Sequence, residues 1–265
     1  MKVSVIISYY KNEINLKLIL KALENQSETD FEVIVSEDDC NKETFKLIKE
    51  FKKIYNFPIE HTNQEKDLGF RKNMMLNKST KLAKGDLLVF IDGDCVPHKH
   101  FIKAYINNFE EDVMLKGRRV MLSEKLTSML KKTFNLKLLG LFNVLFSKSK
   151  KKKIGIYSPF LNLSYNSDKK WLLGCNWGVS KKTIYKVNGF DEDYTRAAVG
   201  EDNDIEWRLK SIGIKGKSVK NKAIVYHLFH KEKYSKEGLF FNKEIFKNKK
   251  ETKDYYCLNG LEKIS

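Results

Sequence analysis

The feature that most constrains the fold is the apolar run at residues 87–91, which has no polar interruption and ends in Asp92-Gly93-Asp94. A run of this kind predicts a strand buried on both faces of a parallel sheet. The two carboxylates then leave the strand at its carboxyl end, which is the edge where open α/β sheets bind ligands. Because like charges this close repel, they indicate a divalent metal site, although Asp-Gly also occurs in solvated turns.

Strands and helices alternate along most of the chain. Apolar runs and helical spacing predict, in order, strand 3–8, helix 13–25, strand 31–36, helix 42–55, strand 57–61, helix 70–84, strand 86–91, helix 181–187, a helix from 201 and strand 222–228. This order predicts βαβ units, and therefore an α/β fold with a mixed, mainly parallel sheet flanked by helices.

The charge balance indicates the class of partner. The chain has 50 basic and 34 acidic side chains, which gives a formal net charge of +16. We therefore expect an anionic partner, such as a nucleic acid, a nucleotide or a membrane surface. The four cysteines show neither a CxxC pair nor zinc spacing, which favours reduced thiols. Because the sequence suggests no signal peptide and no transmembrane segment, we expect a cytoplasmic protein.

Residues 124–155 combine apolar side chains with many lysines and a single acid, Glu124. A basic amphipathic segment can lie in a membrane interface, and the alternative is a surface helix followed by a solvated loop. The chain around this segment is divided by its composition. The predicted parts are a first half at 1–120, a basic amphipathic insertion at 121–170, a second half at 171–232, and a basic tail at 233–265.

The ends of the first two predicted strands carry aromatic and acidic side chains. Tyrosines occupy positions 9–10, and carboxylates occupy positions 37–39. An aromatic face beside an acceptor carboxylate suits a planar base such as uracil, whereas the alternative is a cluster that caps the next helix. Arg71, before the third helix, adds a cation that could reach a phosphate.

Two polar clusters lie in the second half of the chain. Glu201 and Asp202 begin a predicted helix, where acids commonly cap the helix and match its dipole. His227 and His230 follow the late strand, where imidazoles serve as metal ligands or as structural hydrogen-bonding groups.

Taken in this order and spacing, these elements resemble the inverting family 2 glycosyltransferases, which have the GT-A fold. The resemblance covers roughly residues 3–120 and 171–230, and its most specific stretches are residues 174–178, 188–192 and 200–204. The C-terminal half resembles the galactosyltransferase-type acceptor region, and more narrowly the bacterial enzymes that build lipopolysaccharide or capsular glycans. The resemblance implies a nucleotide-sugar-binding GT-A domain with a C-terminal acceptor-binding part. Residues 1–120 would be its donor-binding half, and residues 171–232 its acceptor-binding and catalytic half.

The resemblance also implies a role for each candidate residue. Asp202 becomes the general base and Glu201 places the acceptor. Asp94 ligates Mn²⁺ or Mg²⁺ together with His227 or His230, between which the sequence does not decide. The residues expected to bind the donor are Ser8, Tyr10, Glu37, Asp38, Arg71, Asp92, Gly93 and Trp177.

The expected activity is metal-dependent transfer of a hexose or N-acetylhexosamine from a UDP-sugar to a hydroxyl of a glycan or lipid-linked glycan, in cell-surface polysaccharide synthesis at the inner face of the membrane. A sugar-phosphate nucleotidyltransferase would need a Gly-rich loop after the first strand, and residues 8–12 contain no glycine. A basic nucleic-acid-binding module would leave the acidic motifs without a role, so we expect no nucleic acid partner.

Overall fold

The computed structural model describes residues 2–160, 171–198, 200–231 and 235–264. The strands within these residues are β1 (Val3–Tyr9), β2 (Phe31–Glu37), β3 (Ile59–Thr62), β4 (Leu87–Asp92), β5 (Cys95–Pro97), β6 (Val113–Lys116), β7 (Arg118–Met121), β8 (Asn176–Ser180), β9 (Lys215–Ser218) and β10 (Ile224–His227). The helices are α1 (Glu13–Glu24), α2 (Lys42–Ile54), α3 (Lys72–Leu82), α4 (Phe101–Ile106), α5 (Glu124–Thr133), α6 (Leu141–Phe146), α7 (Lys181–Tyr185), α8 (Glu201–Ser211) and α9 (Lys236–Thr252).

The main sheet has seven strands in the order β3-β2-β1-β4-β8-β6-β9. The pairs β1–β2, β1–β4, β2–β3 and β6–β9 are parallel, whereas β8 runs antiparallel to both of its neighbours. The mixed, mainly parallel α/β sheet expected from the sequence is therefore confirmed. Because β8 belongs to the predicted acceptor half, the two predicted halves share one sheet.

The register of the parallel strands brings the polar strand ends together. Ser8 of β1 lies opposite both Ser36 of β2 and Asp92 of β4. The backbone N–H of Gly93 donates to the carbonyl oxygen of Ser8 at 2.7 Å, and a Cβ atom on Gly93 would lie 2.7 Å from the same oxygen. Only glycine fits so close an approach, so Gly93 fixes where the two flanking carboxylates emerge.

A second sheet of three strands, in the order β5-β10-β7, adjoins this edge. Strand β5 begins at Cys95, directly after the Asp-Gly-Asp turn, and pairs antiparallel with β10 so that Cys95 lies opposite His227. This pairing brings the late histidines next to Asp94, although they are distant in sequence.

Residues 124–155 form a series of short elements. Helices α5 and α6 alternate with 3₁₀ turns at Leu136–Leu139 and Lys152–Gly155. Some apolar side chains of this segment, including Leu130 and Val144, are buried in the main core, whereas Phe142 and Phe146 are 75% and 88% exposed. Part of the predicted insertion, residues 161–170, lies outside the described residues.

The segment predicted as a basic tail is folded where the structure describes it. Helix α9 places Lys249 against Asp191 at 2.5 Å, and Leu261 is buried in the core with Phe190. The chain after residue 235 therefore packs on the predicted acceptor half. None of the helices in the described part of the chain is both long enough and apolar enough to span a membrane.

Candidate active site

A cavity of about 580 Å³ opens at the carboxyl edge of β1, β2 and β4. Several residues that were expected to bind the donor or the metal line this cavity: Ser8, Tyr10, Asp38, Asp92, Gly93, Asp94 and His230. Phe70, Leu228 and Phe229 add apolar walls. The structure therefore brings together residues from five separate parts of the sequence at the ligand-binding edge of the sheet.

Asp38 is held in place at one end of the cavity. Its carboxylate accepts hydrogen bonds from the backbone N–H of Arg71 at 2.9 and 3.1 Å and from Nε2 of Gln64 at 2.7 Å. Burial raises the pKa of Asp38, and these hydrogen bonds oppose that rise. Tyr10 stands beside it with 59% of its surface exposed. The pair offers a fixed acceptor and an open aromatic face to a planar ligand.

Lys72 is a cation of the cavity that the sequence analysis missed. Its Nζ lies 3.1 Å from Oδ1 of Asp92 and 3.6 Å from Oε1 of Glu201, so it joins the two acidic motifs. Burial acts to lower its pKa, but Asp92, Glu201 and Asp202 together raise it well above the ordinary value. By contrast, the guanidinium of Arg71 donates to the carbonyl of Phe70 and does not line the cavity.

Glu201 and Asp202 begin helix α8 and reach the cavity residues through Lys72. Burial, reinforced by the charge of Asp202, raises the pKa of Glu201 to about 8, and its Oε2 has no hydrogen-bond partner among the described residues. Oδ2 of Asp202 accepts the backbone N–H of Gly174 at 2.8 Å. A Cβ on Gly174 would lie 3.0 Å from this carboxyl group, so glycine allows the close approach.

The remaining acids of α8 are structural. Asp204 forms a buried ion pair with Arg208, whose NH1 donates to the carbonyls of Val187 and Gly189. Glu206 pairs with Lys116 at 3.1 Å in the interior. These contacts fix the helix against the sheet and the preceding turn, and they leave Glu201 and Asp202 as the acids of this cluster that adjoin the cavity residues.

The pKa of Glu201 gives a stability prediction. The unfolded carboxyl releases its proton near pH 4.5, whereas the folded one keeps it to about pH 8, so the free energy of unfolding falls as pH rises between these values. Glu201→Gln removes this titration. We expect the variant to gain stability relative to the parent as pH rises from 5 to 8, as measured by urea unfolding. A non-titrating neighbour variant, Asn203→Ala, should show a constant difference, and the same constancy in Glu201→Gln would contradict the assignment.

Asp94 lies between two imidazoles. Its Oδ2 is 3.4 Å from Nε2 of His227 and 3.0 Å from Nε2 of His230. Burial opposes ionisation of Asp94, but the hydrogen bond and charge of His230 and the charge of His227 lower its pKa. Burial lowers the pKa of His227, whereas the hydrogen bond to Asp94 raises that of His230.

These groups fit a divalent metal. With metal–ligand bonds of about 2.1 Å, neighbouring ligand atoms lie about 3.0 to 3.4 Å apart, which matches the two distances around Asp94. Nδ1 of His227 is buried and has no hydrogen-bond partner within the described residues. A carboxylate with imidazoles suits Mn²⁺, whereas Mg²⁺ prefers oxygen ligands alone.

Two further residues expected to bind the donor lie away from the cavity. Glu37 is fully buried, with its Oε2 2.9 Å from Nε2 of His61. Trp177 is 1% exposed and stacks on Phe90 with ring centroids 4.6 Å apart, so it belongs to the core. The structure places neither side chain where it could contact a ligand in the cavity.

Comparison with known proteins identifies relatives of both halves of the chain. The model of glycosyl transferase family 2 matches residues 4–173, and that of the N-terminal domain of galactosyltransferase matches residues 156–231. Chondroitin synthase of Escherichia coli is 27% identical over 241 residues, which cover 84% of this chain and 34% of the relative. The poly(ribitol-phosphate) beta-N-acetylglucosaminyltransferase TarS of Staphylococcus aureus is 28% identical over 121 residues, which cover 43% of this chain and 20% of the relative.

Solved structures show a similar fold. S. aureus TarS 1–349 in complex with UDP-GlcNAc superposes with a TM-score of 0.60 at 18% identity, covering 88% of this chain and 60% of that one. GalNAc-T7 with UDP, GalNAc and Mn²⁺ superposes with a TM-score of 0.64 at 12% identity, covering 93% of this chain and 48% of that one. Among the curated relatives, the chain spans about a third of the length of chondroitin synthase.

Proposed function

The chain belongs to glycosyl transferase family 2 and has the GT-A fold, and we propose that it transfers a hexose or N-acetylhexosamine from a UDP-sugar to an acceptor hydroxyl. The observation that carries this proposal is the single cavity at the sheet edge, where Asp38, Lys72, Asp92 and Asp94 come together. The structure joins these residues to Glu201 through Lys72. One site thus offers groups that can bind the nucleobase and the diphosphate of a donor, together with groups that can contact an acceptor.

The Asp38 end of the cavity suits the uracil of the donor. The carboxylate of Asp38 can accept the N–H of a pyrimidine edge, and the exposed ring of Tyr10 can cover a planar base. Arg71 contributes its backbone N–H, which fixes the orientation of Asp38. The TarS and GalNAc-T7 structures, which contain UDP-GlcNAc or UDP, support this class of donor.

Asp94 and the two histidines would hold the metal, with Mn²⁺ favoured by the imidazoles. A bound divalent cation supplies Lewis acidity that stabilises charge on the departing diphosphate. Lys72 holds a second positive charge at the same edge, next to Asp92. The chain therefore places cationic groups where the negative charge of UDP would develop.

The acceptor is activated by Asp202 in this proposal. Its carboxylate takes the proton of the acceptor hydroxyl, whose oxygen bonds to the anomeric carbon as the bond to UDP breaks. A single displacement of this kind inverts the anomeric configuration. Glu201, whose pKa is about 8, stays largely protonated at neutral pH and can donate a hydrogen bond that places the acceptor.

We further propose a glycan or lipid-linked glycan as acceptor, with the enzyme at the cytoplasmic face of the membrane in cell-surface polysaccharide synthesis. A groove of about 990 Å³ runs from His230 and Phe229 to Phe142 and Phe146. Lysines 125, 148 and 150 border this groove. Exposed aromatic rings among lysines suit an anionic lipid surface.

A variant test addresses the membrane contact. We expect Phe142→Ser/Phe146→Ser to weaken binding to vesicles containing anionic phosphatidylglycerol by about tenfold for each ring, because burying a phenylalanine contributes about 1.5–3 kcal/mol. Phe240→Ser is the matched control, since Phe240 is 67% exposed on a different helix, α9. Vesicle co-sedimentation measures the effect, and equal binding by the parent and the double variant would remove the membrane contact from the proposal.

Donor binding tests the proposed function directly. UDP with Mn²⁺ at about a hundred times its Kd should raise the melting temperature by about 5 to 10 °C. An oligonucleotide serves as the competing ligand, and stabilisation by the oligonucleotide alone would contradict the proposal. A screen of UDP-sugars for turnover then identifies the donor. Release of UDP is expected, whereas release of the sugar 1-phosphate would indicate transfer of the uridylyl group instead.

A further inference from the structure

Cys95 shares the metal site, although the proposed transfer reaction does not use it. It follows Asp94 directly and lies opposite His227 across the β5–β10 pair, where side chains point to the same face. Its Sγ donates to Oδ1 of Asp94 at 3.4 Å. One potential ligand atom from each of Asp94, Cys95 and His227 lies within 4.8 Å of the others.

The thiol of Cys95 is the one that faces this acid. Cys175, its buried neighbour, accepts from the guanidinium of Arg119 at 3.3 Å. Cys257 is remote, with its Sγ against the carbonyls of Val187 and Asn188. Cys95 is fully buried and adjoins the cavity through Asp94, which lines it.

We propose that this site binds thiophilic divalent cations, such as Zn²⁺ or Cd²⁺, in a second mode that adds Cys95 to Asp94 and His227. Soft cations select thiolate ligands, whereas Mn²⁺ and Mg²⁺ are satisfied by oxygen and nitrogen. On binding, the thiol proton passes to the buffer and sulfur becomes a ligand. His230, whose Nε2 is 3.0 Å from Asp94, is not part of this three-residue group.

The second mode has a consequence for the proposed transferase activity, on which this part of the inference rests. Three protein ligands that include the thiolate leave at most one open position on a tetrahedral cation. A donor diphosphate then has fewer positions on this cation than on one held without the thiolate. Zn²⁺ therefore acts as an inhibitor that competes with Mn²⁺, and its inhibition depends on Cys95.

Cadmium titration tests the binding itself, without donor or acceptor. We expect the parent protein to develop an ultraviolet thiolate-to-cadmium charge-transfer band that saturates at one equivalent. The band should be absent in Cys95→Ser and Cys95→Ala, and Cd²⁺ binding should weaken about 100-fold. The matched controls Cys40→Ser and Cys257→Ser should keep the band. No band in the parent protein, or a band that persists in both Cys95 variants, would overturn the proposal.

Electron paramagnetic resonance of bound Mn²⁺ separates the binding mode that includes Cys95 from the mode that does not. Cys95→Ser should retain Mn²⁺ binding, whereas Asp94→Asn should lose the binding of both cations. The assay contains Mn²⁺ and a UDP-sugar that the enzyme turns over. The concentration of added Zn²⁺ that halves the rate should be at least tenfold lower for the parent than for Cys95→Ser. Equal inhibition of the parent and Cys95→Ser would refute a role for Cys95 in inhibition by Zn²⁺. If no UDP-sugar is turned over, the cadmium result still decides the binding proposal, so the two failures are distinguishable.

Discussion

Asp202→Asn is expected to lower the rate of sugar transfer by about 10²- to 10⁴-fold, which is the usual contribution of a general base. Asparagine keeps an oxygen that can accept the N–H of Gly174, so the start of α8 should stay in place. Asp202 does not line the cavity that holds Asp38 and Asp94. Stabilisation by UDP and Mn²⁺ should therefore remain at the parent value while turnover falls.

The control for Asp202→Asn must separate base chemistry from helix stability. Glu237→Gln serves, because Glu237 occupies the second position of α9 as Asp202 does in α8. Both substitutions remove an acid from the first turn, where the helix dipole stabilises negative charge. Glu237→Gln should leave turnover near the parent value. Near-normal transfer by Asp202→Asn would show that another group takes the acceptor proton.

Much of this site was predictable because its signals are local. An unbroken apolar run ending in two carboxylates predicted both the buried strand β4 and the position of its acids at the sheet edge. Strands and helices alternate along this part of the chain. Because parallel strands joined by helices end on the same side of a sheet, this alternation predicts that the strand ends meet at one edge. The joint placement of Asp38, Asp92 and Asp94 could therefore be inferred without any knowledge of long-range contacts.

The direction of single side chains could not be read in the same way. Arg71 and Lys72 are adjacent, but successive residues at the start of a helix point about 100° apart, and only Lys72 turns into the cavity. Trp177 lies on a strand buried on both faces, where either face would have suited its ring. Composition likewise showed that residues 124–155 were amphipathic, but it did not show where the helix breaks.

Gln64 shows what kind of residue is hardest to predict. It has no sequence motif around it, and it is fully buried, where its side chain joins Asp38 to the loop at Leu68 and Gly69. Its value to the site comes from the hydrogen bond to Asp38, 26 residues away, which no local pattern encodes. Residues of this kind position the groups that touch a ligand without resembling them.

Asp94→Asn should remove both Mn²⁺ binding and turnover. A metal that stabilises the leaving diphosphate contributes several kcal/mol, so we expect the rate to fall by about 10³-fold or more. Asparagine has nearly the same shape, but it lacks the negative charge that offsets the cation. Asp94 carries this charge because His230 and His227 lower its pKa against the opposing effect of burial. Electron paramagnetic resonance of Mn²⁺ and UDP-sugar turnover measure the two effects separately.

Asp67→Asn is the matched control for Asp94→Asn, because Asp67 also lines the cavity but accepts only the nearby N–H of Gly69 in the described structure. Its amide oxygen can still accept that hydrogen bond, so Mn²⁺ binding and turnover should stay near the parent values. His227→Ala and His230→Ala then measure how much each imidazole contributes, since loss of a ligand weakens Mn²⁺ binding. If Asp94→Asn binds Mn²⁺ as tightly as Asp67→Asn does, the metal is held elsewhere and the assignment of Asp94 is wrong.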